Sequence, residues 1–196
     1  MARTQISHLL DGAGALGLLL RLRARTQAPW LTVLTYHRIA NPLVAADVDQ
    51  DVVDARPEEF EQQLAFLGKY CSVIGLDDLL AFQRGRALPP NPVLITFDDG
   101  YRDNYETAFP MLKSRGMTAV FFIATSFIQE RRMFWWDRLS YLIKRSKRGV
   151  LELTYPFKQS VVLGDGIRAR AEIVRELLPL VKSHYGLDVQ RFLDEI

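Results

Sequence analysis

Two adjacent carboxylates at the end of an apolar run are the residues of this sequence best suited to chemistry. Residues 94–101 read LITFDDGY, so Asp98 and Asp99 follow the apolar residues directly. Asp and Gly are also favoured where a strand ends in a turn, which would explain the letters DDG by themselves. Neighbouring side chains of a strand point to opposite faces, so a proton shared symmetrically by the two carboxylates is not expected. The spacing favours one carboxylate that binds a cation and one that handles a proton, as in metal-assisted hydrolysis.

A histidine occupies an equivalent position after an earlier strand. Strands are predicted at 31–36, 71–74, 93–97 and 118–123, helices from Pro57 and at 77–84, 110–115, 135–147, 166–185 and 187–196, and a hairpin at 150–163. This alternation indicates parallel βαβ units, whose chemistry gathers at the carboxyl ends of the strands. His37 follows one predicted strand as Asp98 and Asp99 follow another, so all three are expected at the same edge of a sheet.

The composition favours one core and excludes several classes of protein. The chain has 196 residues, of which 48% are hydrophobic, enough to bury one sizeable core. The formal net charge is +2, and the basic clusters lack the interleaved aromatics of a single-strand groove, so no nucleic-acid partner is predicted. Cys71 is the single cysteine, which excludes an intramolecular disulfide and a cysteine-rich zinc site.

Residues 5–25 predict an amphipathic helix with arginines at its end. The apolar segment 12–20 runs into arginines rather than into a small-residue cleavage site, so no signal peptide is predicted and the expected location is the cytoplasm. An apolar face with a basic end allows peripheral contact with a membrane. Packing against the domain is favoured over that contact, because the glycines of the helix suit close docking.

Four segments in a fixed order resemble one family. They are LTYHRI (34–39), ITFDDGYRDNY (95–105), Ala108–Pro110 followed by Leu112 and Gly116, and MTAVFFIATSFI (117–128). Together they are similar to the polysaccharide deacetylase, or NodB-homology, family, over roughly residues 30–140. His37 resembles the histidine of the branch that acts on exopolysaccharides.

The resemblance implies an α/β fold, a distorted (β/α) barrel, that removes N-acetyl groups from a polysaccharide or oligosaccharide. A divalent metal, usually zinc, activates the attacking water in this family. Asp98 matches the family's catalytic base, Asp99 matches its metal-binding aspartate, and His37 matches the general acid for the leaving amine. A structural hydrogen bond at a strand end is the other interpretation of His37. Residues 135–137, WWD, resemble the family's aromatic segment, and packing is expected of them before sugar stacking.

The sequence departs from the family at the rest of the metal site. The family uses two further histidines in an H-x-x-x-H or H-x-x-x-x-H motif, and this chain has only His8, His37 and His184. The later arginine and aspartate motifs are also missing. The favoured interpretation is therefore an incomplete copy, with a helix and linker at 1–29 and the N-terminal half of the barrel at 30–196; a metal-free relative is less favoured.

Such a chain is expected to bind divalent metal weakly, to be inactive as a deacetylase on its own, and to self-associate through an unpaired sheet edge. Two other classes stay open. One is an inactive half-barrel that binds carbohydrate, which glycan binding without deacetylation would indicate. The other is a magnesium-dependent phosphohydrolase, a class that usually carries a Gly-rich phosphate loop, which the sequence lacks.

Overall fold

The computed structural model describes residues 14–26, 30–42 and 47–196. They form two compact units: one contains the described residues up to Ala40 and Asp54–Ile123, the other those from Asn41 to Val53 and Ala124–Ile196. The assignment of residues 1–29 to a helix and linker stays a prediction, since 1–13 and 27–29 lie outside the described residues.

The elements alternate much as the sequence predicts. Up to residue 123 they are α1 (Ala15–Arg23), β1 (Thr32–Tyr36), β2 (Arg38–Ile39), β3 (Val53–Ala55), α2 (Pro57–Tyr70), β4 (Ser72–Ile74), α3 (Leu76–Gln83), β5 (Pro92–Phe97), α4 (Phe109–Ser114) and β6 (Val120–Phe121). The elements that follow are α5 (Thr125–Gln129), α6 (Trp135–Arg145), β7 (Val150–Leu153), β8 (Gln159–Val162), α7 (Ile167–Ser183) and α8 (Val189–Asp194).

Strand β5 is the centre of a parallel sheet, and each of its residues is buried. It pairs with the whole of β1, from Thr32 opposite Val93 to Tyr36 opposite Phe97. Its other edge is shared, because β4 pairs with its first half and β6 with its last two residues. A continuous apolar run is typical of a strand that is buried on both faces of the sheet. Pro92 stands at its first position, where a missing N–H is tolerated.

The order of these strands differs from their order along the chain. A barrel whose strands follow chain order would place β4 between β1 and β5, whereas β1 pairs directly with β5. The predicted α/β class is confirmed by the alternating strands and helices. The half-barrel stays a prediction.

Helix α2 covers the aromatic side of the sheet. Its residues Phe60 and Leu64 are fully buried, as the i, i+4 spacing predicts. The Phe60 ring meets the ring of Tyr36 edge-on at 5.2 Å and that of Phe97 at 6.0 Å between centroids. Because Tyr36 and Phe97 are the last residues of β1 and β5, this aromatic contact fixes the end of the sheet from which His37 and Asp98 emerge.

Two sequence predictions need correction. Pro110 lies in the first turn of α4, as predicted, but helical structure begins earlier than predicted, because a π-helical segment, Asn104–Ala108, runs into α4. A wider turn accommodates Pro110, whose ring and missing N–H disrupt regular α-helical bonding. The strand predicted at 118–123 contains only Val120–Phe121, and Phe122 and Ile123 are more than half exposed. An apolar run therefore indicated a longer buried strand than this edge of the sheet provides.

The second unit has its own core around the hairpin β7/β8. Helices α6, α7 and α8 contribute fully buried side chains, among them Leu139, Leu177 and Phe192. Trp135 and Trp136 pack against this core, which confirms the packing expected of them. His184 is exposed at the end of α7, with its Nδ1 2.7 Å from the Leu180 carbonyl oxygen.

Helix α1 docks on the first unit through a glycine. A Cβ placed on Gly17 would lie 2.8 Å from Cζ of Tyr70, so any side chain at this position would have to displace the Tyr70 ring. Asn91 strengthens the contact, since its Nδ2 donates to the Leu20 carbonyl at 2.7 Å and to the Tyr70 carbonyl at 2.9 Å. The described part of the predicted helix 5–25 is therefore packed, as the glycines indicated.

Replacing Gly17 with leucine should release α1, because the new side chain overlaps the Tyr70 ring. We expect faster tryptic cleavage after Arg21 and Arg23 and a loss of about 1–3 kcal/mol in the free energy of unfolding. Limited proteolysis and urea unfolding measure the two effects. The control is Leu18→Ala, which changes an exposed residue of the same helix. Equal cleavage of Gly17→Leu and wild type would contradict the docking described here.

Candidate active site

The pairing of β1 and β5 brings the predicted site residues to one edge of the sheet. Tyr36 and Phe97 are opposite each other, and the Asp98 N–H donates to the Tyr36 carbonyl at 2.8 Å. His37 and Asp98 therefore leave the sheet as neighbours, at the carboxyl ends of two parallel strands. This is the placement expected from the sequence.

The Asp98–Gly100 segment reverses the chain at this edge. Asp99 and Gly100 both have left-handed backbone angles, with φ of 73° and 77°. The Gly100 N–H donates to the Asp98 carbonyl at 2.9 Å. Asp is among the side chains that tolerate this region, and strained positions of this kind, costing on the order of 1–3 kcal/mol, cluster at functional sites. The segment is thus a turn, as the first interpretation holds, and it also presents both carboxylates at the strand ends.

The pKa of Asp99 is influenced by both of the other predicted site residues, His37 and Asp98. Partial burial raises the pKa of the Asp99 carboxyl above its usual range, the neighbouring Asp98 raises it further, and His37 lowers it. These influences require the three groups to be near one another. A bound cation would favour the ionised form of Asp99 against its burial.

Asp54 holds His37 in place, and no sequence pattern had indicated this role. Its Oδ2 accepts the His37 backbone N–H at 2.5 Å and lies 3.4 Å from the imidazole Nδ1. Asn104 donates from Nδ2 to the His37 carbonyl at 2.8 Å. Both backbone groups of His37 are therefore engaged, and Nδ1 faces a carboxylate. The imidazole Nε2 is the nitrogen left for a substrate.

A second ion pair joins the two motifs that supply the site. Arg38 donates from Nε to Oδ2 of Asp103 at 2.8 Å, and Asp103 also accepts the Ile39 N–H at 3.2 Å. The Arg38 guanidinium lies over the Tyr101 ring, 4.6 Å from its centroid. Both charged side chains are largely buried. Arg38 and Asp103 stand inside the recognised motifs LTYHRI and ITFDDGYRDNY, and that position was the only signal of their role.

The described residues do not supply a complete zinc site. Within residues 14–26, 30–42 and 47–196, no group of three or more His, Cys, Asp or Glu side chains is placed to hold a metal ion. Catalytic zinc usually has three protein ligands. His8 lies outside the described residues. Asp99 can thus supply one carboxylate ligand to a cation. The described part of the chain does not add the further ligands that tight binding needs.

Two comparisons with known proteins concern this chain, and the first covers the segment that contains Asp98 and Asp99. Residues 85–152 match the family model described as polysaccharide deacetylase. The chain is also 33% identical over 95 residues to a Bacillus subtilis (strain 168) protein named "Putative polysaccharide deacetylase YxkH". That alignment covers 47% of this chain and 31% of the relative, so the chain spans about a third of the relative's length. The predicted resemblance to polysaccharide deacetylases is confirmed.

Two solved structures are also similar to this chain. IcaB from Ammonifex degensii is 25% identical, with a TM-score of 0.46, over 82% of this chain and 72% of that one. The BpsB deacetylase domain from Bordetella bronchiseptica is 22% identical, with a TM-score of 0.40, over 80% and 76% of the two chains. TM-scores below 0.5 do not establish a common fold over those lengths.

Tyr36 makes the stability of the folded protein sensitive to alkaline pH. Its hydroxyl donates to Gln63 Oε1 at 2.7 Å, and burial, together with the Asp54 carboxylate, raises its pKa to about 12 from 10.0. The folded protein therefore keeps this proton at a pH where the unfolded chain loses it. The stability that this group contributes is complete below pH 10 and is lost as the pH rises toward 12.

Tyr36→Phe should remove this part of the alkaline destabilisation. Between pH 9 and 12, wild type should lose on the order of 2 kcal/mol more stability than the variant, since about two pKa units separate the folded and unfolded states. Urea unfolding at several pH values measures the difference. Tyr105→Phe, at a tyrosine that is 74% exposed, is the control and should follow wild type. Parallel curves for wild type and Tyr36→Phe would contradict the raised pKa.

Proposed function

We propose that this chain carries the carboxylate and histidine part of a polysaccharide N-deacetylase site. The observation that carries the proposal is the register of β1 and β5, which sets His37 beside Asp98 and Asp99 at one sheet edge. The match of residues 85–152 to the polysaccharide deacetylase model supports the substrate class, an N-acetylated polysaccharide or oligosaccharide.

Asp98 and His37 are assigned the two proton transfers of amide hydrolysis. Asp98 takes a proton from the water that adds to the acetyl carbonyl carbon. When the carbon–nitrogen bond breaks, His37 gives a proton from Nε2 to the leaving nitrogen, so that acetate and a free amine are formed. Asp54 acts as a positioning residue, because its carboxylate contacts Nδ1 and the backbone N–H of His37.

Asp99 is assigned to a divalent cation, as its match to the family's aspartate implies. Its carboxylate is partly buried and adjacent to a second carboxylate, an environment that a cation would stabilise. The described residues do not complete a zinc site, so we expect weak binding. The same observation favours a second candidate function: binding of the polysaccharide without hydrolysis.

Zinc titration and acetate release distinguish the two candidates. We expect the wild-type chain on its own to bind zinc weakly and to release no acetate, as predicted above, and to release acetate from an N-acetylated hexosamine oligosaccharide only when excess zinc offsets the weak binding. Asp98→Asn should bind zinc like wild type and lose turnover by on the order of 100-fold or more, because it removes the base. Asp99→Ala should lose zinc binding and turnover together, because it removes a ligand.

Asp165→Asn, which removes an exposed carboxylate of the second unit, is the control and should behave as wild type in both measurements. Glycan binding with no acetate release at any zinc concentration would instead support the binding protein. Equal loss of zinc binding in Asp98→Asn and Asp99→Ala would refute the division of labour between them.

His37→Ala should affect amide and ester substrates differently. An amine leaves only when it is protonated, whereas an activated ester has a leaving group that needs no proton. We therefore expect amide turnover to fall by on the order of 100-fold and ester turnover to fall much less, with zinc affinity nearly unchanged. Parallel rate measurements on the two substrates test this assignment. An equal fall for both would leave His37 with a structural role.

A further inference from the structure

The outward side of α1 carries an apolar surface. Leu18, Leu19 and Leu22 are 60%, 55% and 49% exposed, although they belong to a helix whose opposite side is docked. With 3.6 residues per turn, Leu18 and Leu22 lie one above the other and Leu19 lies beside them. We call these three residues the leucine strip. Exposed leucines grouped on one helix face indicate a binding surface more strongly than the same residues scattered singly.

Arginines border the leucine strip on both sides. Arg21 and Arg25 are exposed on one side of it. On the other side, Arg23 donates from Nη2 to the Trp30 carbonyl at 3.1 Å, and its guanidinium lies 5.5 Å from the centroid of the Trp30 ring. Trp30 is itself 65% exposed. Residues 14–26 contain no Asp or Glu, so every charged side chain of this segment is cationic.

The docked side of α1 fixes the direction in which the leucine strip faces. The Gly17 contact with Tyr70 and the two hydrogen bonds from Asn91 hold the helix by the other side. Leu16 and Leu20, which also lie on that side, line a groove of about 940 Å³ next to β1. Turning the leucine strip inward would break the Gly17 contact. The strip is therefore presented outward by the folded chain.

We propose that the leucine strip, its three arginines and Trp30 bind the surface of a membrane that contains anionic lipids. Leucines can enter the boundary between headgroups and acyl chains while the arginines meet lipid phosphates, and tryptophan is enriched at that depth. The three arginines that border the strip are complementary in charge to such a surface.

The helix lies on the membrane in this arrangement and does not cross it. Its nine residues extend about 14 Å, less than half of a hydrocarbon core of about 30 Å. None of the helices in the described part of the chain is both long and apolar enough to span a bilayer.

Sedimentation with vesicles tests the proposal on the intact chain. Vesicles of phosphatidylcholine mixed with phosphatidylglycerol should bind the protein about tenfold or more tightly than vesicles of phosphatidylcholine, and added salt should weaken that binding. The double variant Leu18→Ser, Leu22→Ser should bind the mixed vesicles about tenfold less tightly. Arg21→Gln with Arg25→Gln should reduce the preference for the anionic vesicles.

Two controls distinguish binding through the leucine strip from nonspecific hydrophobic binding and from misfolding. Val162→Ser, at a valine that is 70% exposed in the second unit, should bind like wild type. Circular dichroism and tryptic cleavage after Arg21 should show that the leucine variant keeps α1 docked. Mixed vesicles should also shift the tryptophan emission of wild type to shorter wavelength, and Trp30→Phe should lose this shift because Trp135 and Trp136 pack against the core of the second unit.

Several results would overturn the proposal. Equal binding to both kinds of vesicle, no binding, or equal binding by wild type and the folded leucine variant would each do so. Light scattering adds another: if wild type is a dimer that ignores vesicles and the leucine variant is a monomer, the strip joins two copies of the chain instead. None of these measurements requires acetate release, so their outcome is independent of the test of the proposed function.

Discussion

The in-register pairing of β1 with β5 is the interaction on which the candidate site depends. Five residue pairs align the two strands, and the last of them, Tyr36 with Phe97, sets where both chains leave the sheet. A shift of β1 by one residue would turn the Tyr36 ring away from Phe60 and toward the exposed face of β1. The apolar packing that stabilises the sheet thus also determines which polar residues meet at its edge.

Hydrogen bonds and ion pairs then fix the residues that follow the strands. Asp54 and Asn104 bind the backbone of His37, while Arg38 and Asp103 connect the segment after β1 to the segment after β5. Arg38 and Asp103 are mostly removed from water, where breaking a charge pair by removing one partner is costly. Most of the motif residues around His37 and Asp98 therefore serve to hold the site residues in place. Only a few of them are needed for proton transfer or a cation.

The proposed function rests on the confirmed resemblance and is limited by the lack of a three-ligand metal group among the residues that the structure describes. The match over residues 85–152 includes both aspartates, which favours a deacetylase over the other classes that two carboxylates could serve. The absence of a three-ligand group among the described residues limits the affinity for zinc that these residues can provide. A membrane-binding surface on α1 would add a second role for this chain, namely to keep the site near lipid.

By itself, the sequence determined the local features of this protein. Apolar runs located most of the strands, and apolar residues at helical spacing located most of the helices. Each kind of element repeats its buried positions with a characteristic period along the chain. Motif order indicated the resemblance to polysaccharide deacetylases, and the glycines of the first helix indicated close docking. These features are local because they depend on residues that are neighbours along the chain.

Only the tertiary structure decided which distant residues meet. The pairing of β1 with β5 rather than β4, and the contact of Asp54 with His37, join residues separated by many positions in the chain. The early start of the helix before Pro110 and the short β6 likewise depend on their surroundings more than on local preference. Many pairings satisfy the same hydrophobic pattern, and the choice among them follows from packing and from the need to satisfy buried polar groups.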